Sequence, residues 1–249
     1  MNNILITGAS RGIGRAIALK AAENESRLFL NSLTGGENLS SVKTEIDRLR
    51  AAGGIAGSVS LVEGDVGDPD EVRRIFGIIE NELDGGKIGV LINNAGISHI
   101  GLVQDMTDEE WNRIIAVNLS SVHYLCKAVI PHMLGLGGGH ILNISSVWGN
   151  VGASCEVAYS ASKGGVNAYT RALAKELAPS GIAVNAIACG CIDTDMNRHL
   201  SGEDRNELCE QIPAGRFARP EEVAELAVSL CNGNNYLTGQ VITFDGGWI

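Results

Sequence analysis

Short apolar runs of strand length alternate with segments of helical length along the whole chain, and this alternation constrains the fold more than any other feature. The runs at 3–7, 28–31, 59–62, 88–92, 140–144, 182–188 and 240–244 are rich in Ile, Leu and Val and predict strands. Segments 12–23, 38–52, 69–83, 108–134, 157–178 and 220–231 predict helices between them. Such alternation requires a parallel sheet with helices packed on both faces. The expectation is an α/β fold, a doubly wound parallel sheet of about seven strands. No internal repeat or polar linker divides the sequence, so residues 1–249 read as one domain. The stretch after Gly190 lacks periodicity at 193–212 and reads as an irregular substrate lid within 190–215.

Composition removes several function classes. The formal charge of −10 disfavours a nucleic-acid or anionic-membrane binder, which needs a basic face. No run approaches 18 apolar residues, so the sequence predicts no membrane span. The start, Met1-Asn2-Asn3, has no basic stretch before an apolar one, so no secretory leader is expected. Cys126, Cys155, Cys189, Cys191, Cys209 and Cys231 form no CxxC pair and read as cytoplasmic thiols; with no HExxH either, no metal site is expected. Glycine is the outlier: 32 of 249 residues is almost twice the usual share of ~7%. With only five prolines and no Gly-X-Y period, these glycines must serve tight turns and close backbone approach.

The first predicted strand runs directly into Thr7-Gly8-Ala9-Ser10-Arg11-Gly12-Ile13-Gly14 and then a helix. Glycines at such a turn let the backbone approach a pyrophosphate, which sits on the free N–H groups of the helix N-terminus. Dinucleotide sites that prefer NAD place an acid near the end of the second strand for the ribose 2′-hydroxyl. Here that position is Asn31, followed by Ser32 and Leu33. With no acid to repel a 2′-phosphate and Arg11 in the turn to pair with one, the residues predict NADPH/NADP+ over NADH. Asp65-Val66, after the third strand, is placed to meet the adenine. Asn93-Asn94-Ala95-Gly96 closes the fourth strand at the carboxyl edge, where such sheets bind ligands.

Tyr159 and Lys163 lie four apart on a predicted helix and share a face, and Ser146 follows the fifth strand. A tyrosine with pKa ~10 is a weak acid at neutral pH, and a neighbouring ammonium is expected to lower that value. The trio suits carbonyl reduction: Ser146 holds the carbonyl oxygen, Tyr159 delivers a proton, and hydride comes from a nicotinamide.

Thr7-Gly-x3-Gly-x-Gly14, Asp65, Asn93-Asn-Ala-Gly96, Asn118, Ser146 and Tyr159-x3-Lys163 stand in the order that the short-chain dehydrogenase/reductase family shows, and the chain resembles that family over essentially its whole length. The resemblance implies a Rossmann-type fold, a catalytic set of Asn118, Ser146, Tyr159 and Lys163, and an Asn118 that helps hold a proton-relay water. It also implies that Lys163 binds the nicotinamide ribose and that Gly190, Ile192 and Thr194 lie in the stretch meeting the carboxamide. The sequence departs from the family where Cys189-Gly190 replaces the usual Pro-Gly after the sixth strand.

Residues 212–220 and the ending Asp245-Gly-Gly-Trp248 are similar to 3-oxoacyl-[acyl-carrier-protein] reductases, NADPH enzymes of fatty acid biosynthesis that are usually homotetramers. Two basic groups expected for docking that acidic carrier are missing: Gly135-Leu-Gly-Gly-Gly139 and Ser180 stand in their places. Residues 145–159 are also similar to bacterial reductases of a 5-aminopentanone group on a lysine of elongation factor P. Glu156, three residues before Tyr159, would attract a substrate ammonium there, and Trp148 would be a pocket wall; equally, Glu156 suits a helix N-terminus. The expected partners are thus a small or carrier-bound ketone, elongation factor P among the carriers, and further copies of the chain. A non-catalytic NADP-sensing regulator is the competing class, and the complete Asn118, Ser146, Tyr159 and Lys163 set argues against it.

Overall fold

The computed structural model describes residues 2–34, 36–198, 200–233 and 235–249. Seven strands among them form one sheet: β1 (Asn2–Ile6), β2 (Ser26–Ser32), β3 (Gly57–Glu63), β4 (Val90–Asn93), β5 (Gly139–Ser146), β6 (Ile182–Cys189) and β7 (Val241–Phe244). The spatial order is β3-β2-β1-β4-β5-β6-β7, and every pairing is parallel. This is the single-domain doubly wound sheet that the alternation predicts. The order reverses between β1 and β4, which opens a crevice at their carboxyl ends.

Both faces of the sheet are covered, so the strands carry apolar residues on both sides instead of alternating with polar ones. One core gathers Ile6, Leu28 and Leu30 beneath α1 (Gly12–Ala22) and α2 (Gly36–Gly53), with Val223 and Ala227 of a later helix. The other gathers Leu5, Phe29 and Leu91 beneath α3 (Pro69–Leu83) and the two helices that follow β4 and β5. Adjacent strand residues such as Leu5 and Ile6 thus enter opposite cores, each fully buried side chain contributing roughly 1.5–3 kcal/mol. α3 shows why the sequence signal is strong there. Pro69 opens it, the Asp68 carboxylate caps the Asp70 N–H, and Val72, Ile75, Phe76, Ile79 and Leu83 share its buried face.

The helix predicted over 108–134 is interrupted. α4 (Asp108–Ile115) passes through a widened turn at Ala116–Ser120 into α5 (Ser121–Leu136). The whole span is long and apolar enough to cross a bilayer by length and composition, a property the residue runs do not reveal. Here it packs Val122, Leu125, Cys126, Val129 and Met133 into the second core.

The stretch expected to be irregular contains α8 (Gly202–Gln211), after the short α6 (Trp148–Val151) and the long α7 (Val157–Leu177). α8 buries none of its residues, so it has no apolar period to read, and it starts on a reciprocal cap between Ser201 and Asp204. α9 (Pro220–Leu230) completes the first core.

Candidate active site

At the crevice the loop after β4 is tied to the glycine turn after β1. The buried Thr7 hydroxyl accepts from the Asn94 and Ala95 N–H groups at 3.0 and 3.1 Å. The Asn94 amide donates back to the carbonyls of Thr7 and Gly8 at 2.9 and 3.1 Å. Gly8 turns left-handed at φ +63°, and a Cβ there would meet Ala95 Cα at 2.9 Å. A Cβ on Gly14 would fall on the Gly8 carbonyl oxygen and the Asn94 amide, so the turn closes only on glycine.

This cradle fits an anionic pyrophosphate. α1 begins at Arg11 with no side-chain cap and no acid in its first turn, which leaves its first N–H groups and the positive end of its dipole for a ligand. Arg11 is exposed, and Ser10, Gly12 and Ile13 are half-buried beside it. From the opposite side Thr194 faces the turn: a Cβ on Gly12 would lie 3.3 Å from its Cγ2. Ile192 beside it is buried, and Gly190 packs against Asp245.

Other expected cofactor residues carry internal duties. Asn31 is 1% exposed, and its amide donates to the carbonyls of Val62 and Gly64 at 3.0 and 3.1 Å, joining β2 to the end of β3. Its side chain is therefore not free for a ribose. Ser32 is buried with its hydroxyl on the Thr34 carbonyl, so Leu33 and Thr34 are the exposed positions at that strand end. Asp65 accepts from the Gly67 N–H at 2.9 Å and pairs with Arg113 at 2.6 Å, with Val66 buried behind it. Asn93 points into the second core, donating to Asn143 at 2.8 Å.

Around the end of β5, Asn118, Ser146, Tyr159 and Lys163 converge. The widened turn presents the buried Asn118 side chain sideways, where its amide accepts from the Ile97 N–H at 2.8 Å and donates to the Ile97 carbonyl at 2.9 Å. A Cβ on Gly96 would lie 3.5 Å from both Asn118 Oδ1 and Lys163 Nζ, so these groups share one small space. Lys163, buried, donates from Nζ to the Ile144 carbonyl at 2.8 Å, and Nζ lies 5.7 Å from the centre of the Tyr159 ring. α7 is held on β5 by the Ser145 hydroxyl, which donates to Asn167 at 2.6 Å, while Asn167 donates to Asn150 at 2.9 Å.

The electrostatics differ from the expectation of a lysine-depressed phenol. Burial raises the Tyr159 pKa above its ordinary value, a hydrogen bond with Ser146 offsets part of this, and Cys189 and Glu156 add to the rise. Burial also draws the Lys163 ammonium down to about 8. The Lys163 Nζ is turned to the Ile144 carbonyl. Tyr159 at neutral pH thus holds its proton.

The side expected to face the substrate is assembled from distant segments. The Trp148 ring meets the Trp248 ring of the C-terminal stretch, centroids 5.0 Å apart and planes at 60°. Glu156 is half-buried at the start of α7 and caps no N–H there; it accepts from the Ser98 hydroxyl at 3.3 Å. Cys189 sits beside Ser146 as its register partner on β6, its thiol pushed up to about 12 by burial.

The model of the short chain dehydrogenase family matches residues 2–205. The chain belongs to that family. The sequence is 34% identical to the uncharacterized oxidoreductase YmfI of Bacillus subtilis over 98% of this chain and 97% of that protein. It is 39% identical to the 3-oxoacyl-[acyl-carrier-protein] reductase FabG of Thermotoga maritima over 98% of this chain and 96% of that one. A structure from Beutenbergia cavernae, described as an NAD(P)-dependent gluconate 5-dehydrogenase with NADP bound at low occupancy, superposes with a TM-score of 0.89 at 34% identity, covering 99% of this chain and 96% of that one. This member of the short-chain dehydrogenases is an oxidoreductase that uses a nicotinamide cofactor.

Thr7 and Asn94 stand within the sequence motifs without a local signal of their role. Their work is to hold the two halves of the crevice together, and only the pairing of β1 with β4 reveals it. Nothing in the local sequence of Trp248 signals its contact with Trp148.

Proposed function

We propose that this short-chain dehydrogenase is an NADPH-dependent carbonyl reductase. The observation that carries the reading is the gathering of Asn118, Ser146, Tyr159 and Lys163 at the end of β5, with Lys163 Nζ 5.7 Å from the centre of the Tyr159 ring and 3.5 Å from where a Gly96 Cβ would lie. A protonated phenol is the form that reduction consumes. The nicotinamide, when bound, supplies the hydride. Ser146 and Tyr159 hold the carbonyl oxygen by donating to it, and Tyr159 passes its proton to that oxygen as negative charge develops. Lys163 stabilises the phenolate left behind, and the Asn118 turn anchors the Ile97 backbone next to Lys163 for proton resupply. The preference for NADPH rests on the lack of an acid at the end of β2 and on Arg11 exposed in the turn.

For the ketone, the FabG likeness supports a 3-oxoacyl thioester carried on an acyl-carrier protein. Exposed apolar residues on neighbouring loops and helix ends, Ile100, Leu102, Val103, Val151 and Val157, suit an aliphatic chain. A second reading is favoured by Glu156, a half-buried carboxylate whose charge reaches Tyr159. It would place a ketone with a distal ammonium there, such as the 5-aminopentanone group on elongation factor P. The surface of α5 and α7 around Leu119, Tyr124, Ala168 and Tyr169 suits contact between copies in a cytoplasmic homotetramer.

The deciding experiment follows NADPH oxidation with acetoacetyl thioesters and with aminopentanone-modified elongation factor P as substrates. Faster turnover of the thioesters supports the first reading, and of the modified factor the second. Tight NADPH binding with no turnover of any ketone would support a nucleotide-sensing regulator instead.

A further inference from the structure

Cys191, in the loop after β6, and Cys209, on α8, lie on two segments that an ion pair ties together. Residues 191–193 run extended beside Ala218: the Ala218 N–H donates to the Cys191 carbonyl at 3.0 Å, and the Asp193 N–H donates to the Ala218 carbonyl at 2.8 Å. The middle residue, Ile192, is buried in the first core. Side chains alternate along an extended backbone, so Cys191 and Asp193 both turn away from that core. On α8, Arg205 and Cys209 are four residues apart and lie on one face.

Arg205 reaches Asp193 at 3.0 Å, with its guanidinium 4.4 Å from the centre of the Phe217 ring. This ion pair is one rung between the loop and the helix. Cys191 stands two residues along the extended stretch, roughly 6–7 Å away, and Cys209 one helical turn away, roughly 5–6 Å. The matching steps would let the two sulfurs form a second rung. The charges agree with this placement: after burial, Cys209 is the strongest influence raising the Cys191 thiol, which stands at about 11, while Arg205 pulls it the other way. Both cysteines are half-buried, in contrast to the buried Cys126, Cys189 and Cys231.

We propose that Cys191 and Cys209 form a reversible redox pair whose disulfide pins α8 to the loop leaving the candidate active site. A low-molecular-weight disulfide is the oxidant. One cysteine thiolate attacks it, forming a mixed disulfide and releasing one small thiol; the second cysteine attacks that mixed disulfide and releases the other. The two protein thiols lose two electrons and two protons, and the oxidant leaves as two thiols. Because α8 buries no residue of its own, one covalent link changes its freedom more than that of any core helix.

The test treats the full chain with oxidised glutathione and digests it with trypsin without reductant; Arg198 and Arg205 lie between the two cysteines and let trypsin separate them. The expected product is a Cys191–Cys209 linked peptide, reversed by dithiothreitol, absent from Cys191→Ser and Cys209→Ser, and retained in Cys155→Ser. Amide exchange across 202–211 should slow by ~10-fold or more in the oxidised protein and stay unchanged in oxidised Cys209→Ser. Glutathione adducts alone, or a bridge that uses Cys155, would overturn the pairing, and a bridge without slower exchange would overturn the pinning. None of these measurements depends on turnover, so the outcome stands apart from that of the reductase reading.

Discussion

At the cofactor end of the crevice one buried hydroxyl, Thr7 Oγ1, receives two backbone N–H groups from the loop of the neighbouring strand, and Asn94 returns two bonds to the turn. The side expected to face the substrate is joined largely through side chains of distant segments: Trp148 on Trp248, Glu156 with Ser98, and Arg205 with Asp193. The first arrangement locks the backbone itself, so its geometry tolerates little change. The second leaves the backbone in place when a side chain is altered, so specificity can change without loss of the fold.

Variants and pH sharpen the contrast, starting with the largest expected effect. Tyr159→Phe keeps the ring and deletes the acid, so kcat should fall by ~10²–10⁴-fold or more while NADPH affinity, followed by fluorescence titration, stays near that of the parent. Near-normal turnover would remove Tyr159 from the proposed chemistry. Next, kcat/KM for reduction should drop about tenfold per unit as pH rises beyond about 8, because a Lys163 pKa drawn down to about 8 means the ammonium is present below that pH and lost above it. A profile flat through pH 9 would show that the charge is not needed.

Thr7→Val tests the backbone lattice directly. It leaves the Asn94 and Ala95 N–H groups without their acceptor, at a cost of about 1–3 kcal/mol each where buried. Both the urea midpoint and the affinity for either nicotinamide cofactor should fall together. A change in stability alone would separate the lattice from the cofactor.

Arg11→Ala probes the exposed rim of the same end. NADPH affinity should weaken by ~10-fold with NADH changed much less, as expected for a lost charge-assisted contact to the 2′-phosphate. Equal losses would assign the arginine to the turn.

Glu156→Gln should be the mildest. If the ammonium reading holds, KM for an aminoketone rises by ~3–10-fold with kcat little changed, because the charge lies remote from the reacting carbon, and neutral ketones respond little. The thioester reading expects this variant to be nearly silent.

How far the site is legible in the sequence follows the same division. Gly8, Gly12 and Gly14 announce their turn because no other residue closes it, and Tyr159 and Lys163 announce a shared face through their spacing. α8 is not legible because a helix that buries nothing carries no apolar period. The break at Ala116–Ser120 is not legible because the apolar pattern continues on both sides of it, and the bonds of Asn118 to Ile97 there join residues 21 apart. Asn31 shows the converse. Its place near the strand end is legible, but the carbonyls that occupy its amide come from β3 and the residue just beyond it, 31 and 33 residues away.

By itself the sequence determined the parallel sheet, the glycine turn and the residues available for proton transfer, because local period and spacing encode them directly. Only the tertiary structure decided how those residues behave. Burial, a property of the whole packed domain, raises the Tyr159 pKa, against the expectation from its spacing to Lys163, and lowers that of Lys163. The same holds for Thr7 with Asn94 and Trp148 with Trp248: members of these pairs lie far apart in the chain, and contact between them exists only once the sheet has brought their segments to one edge.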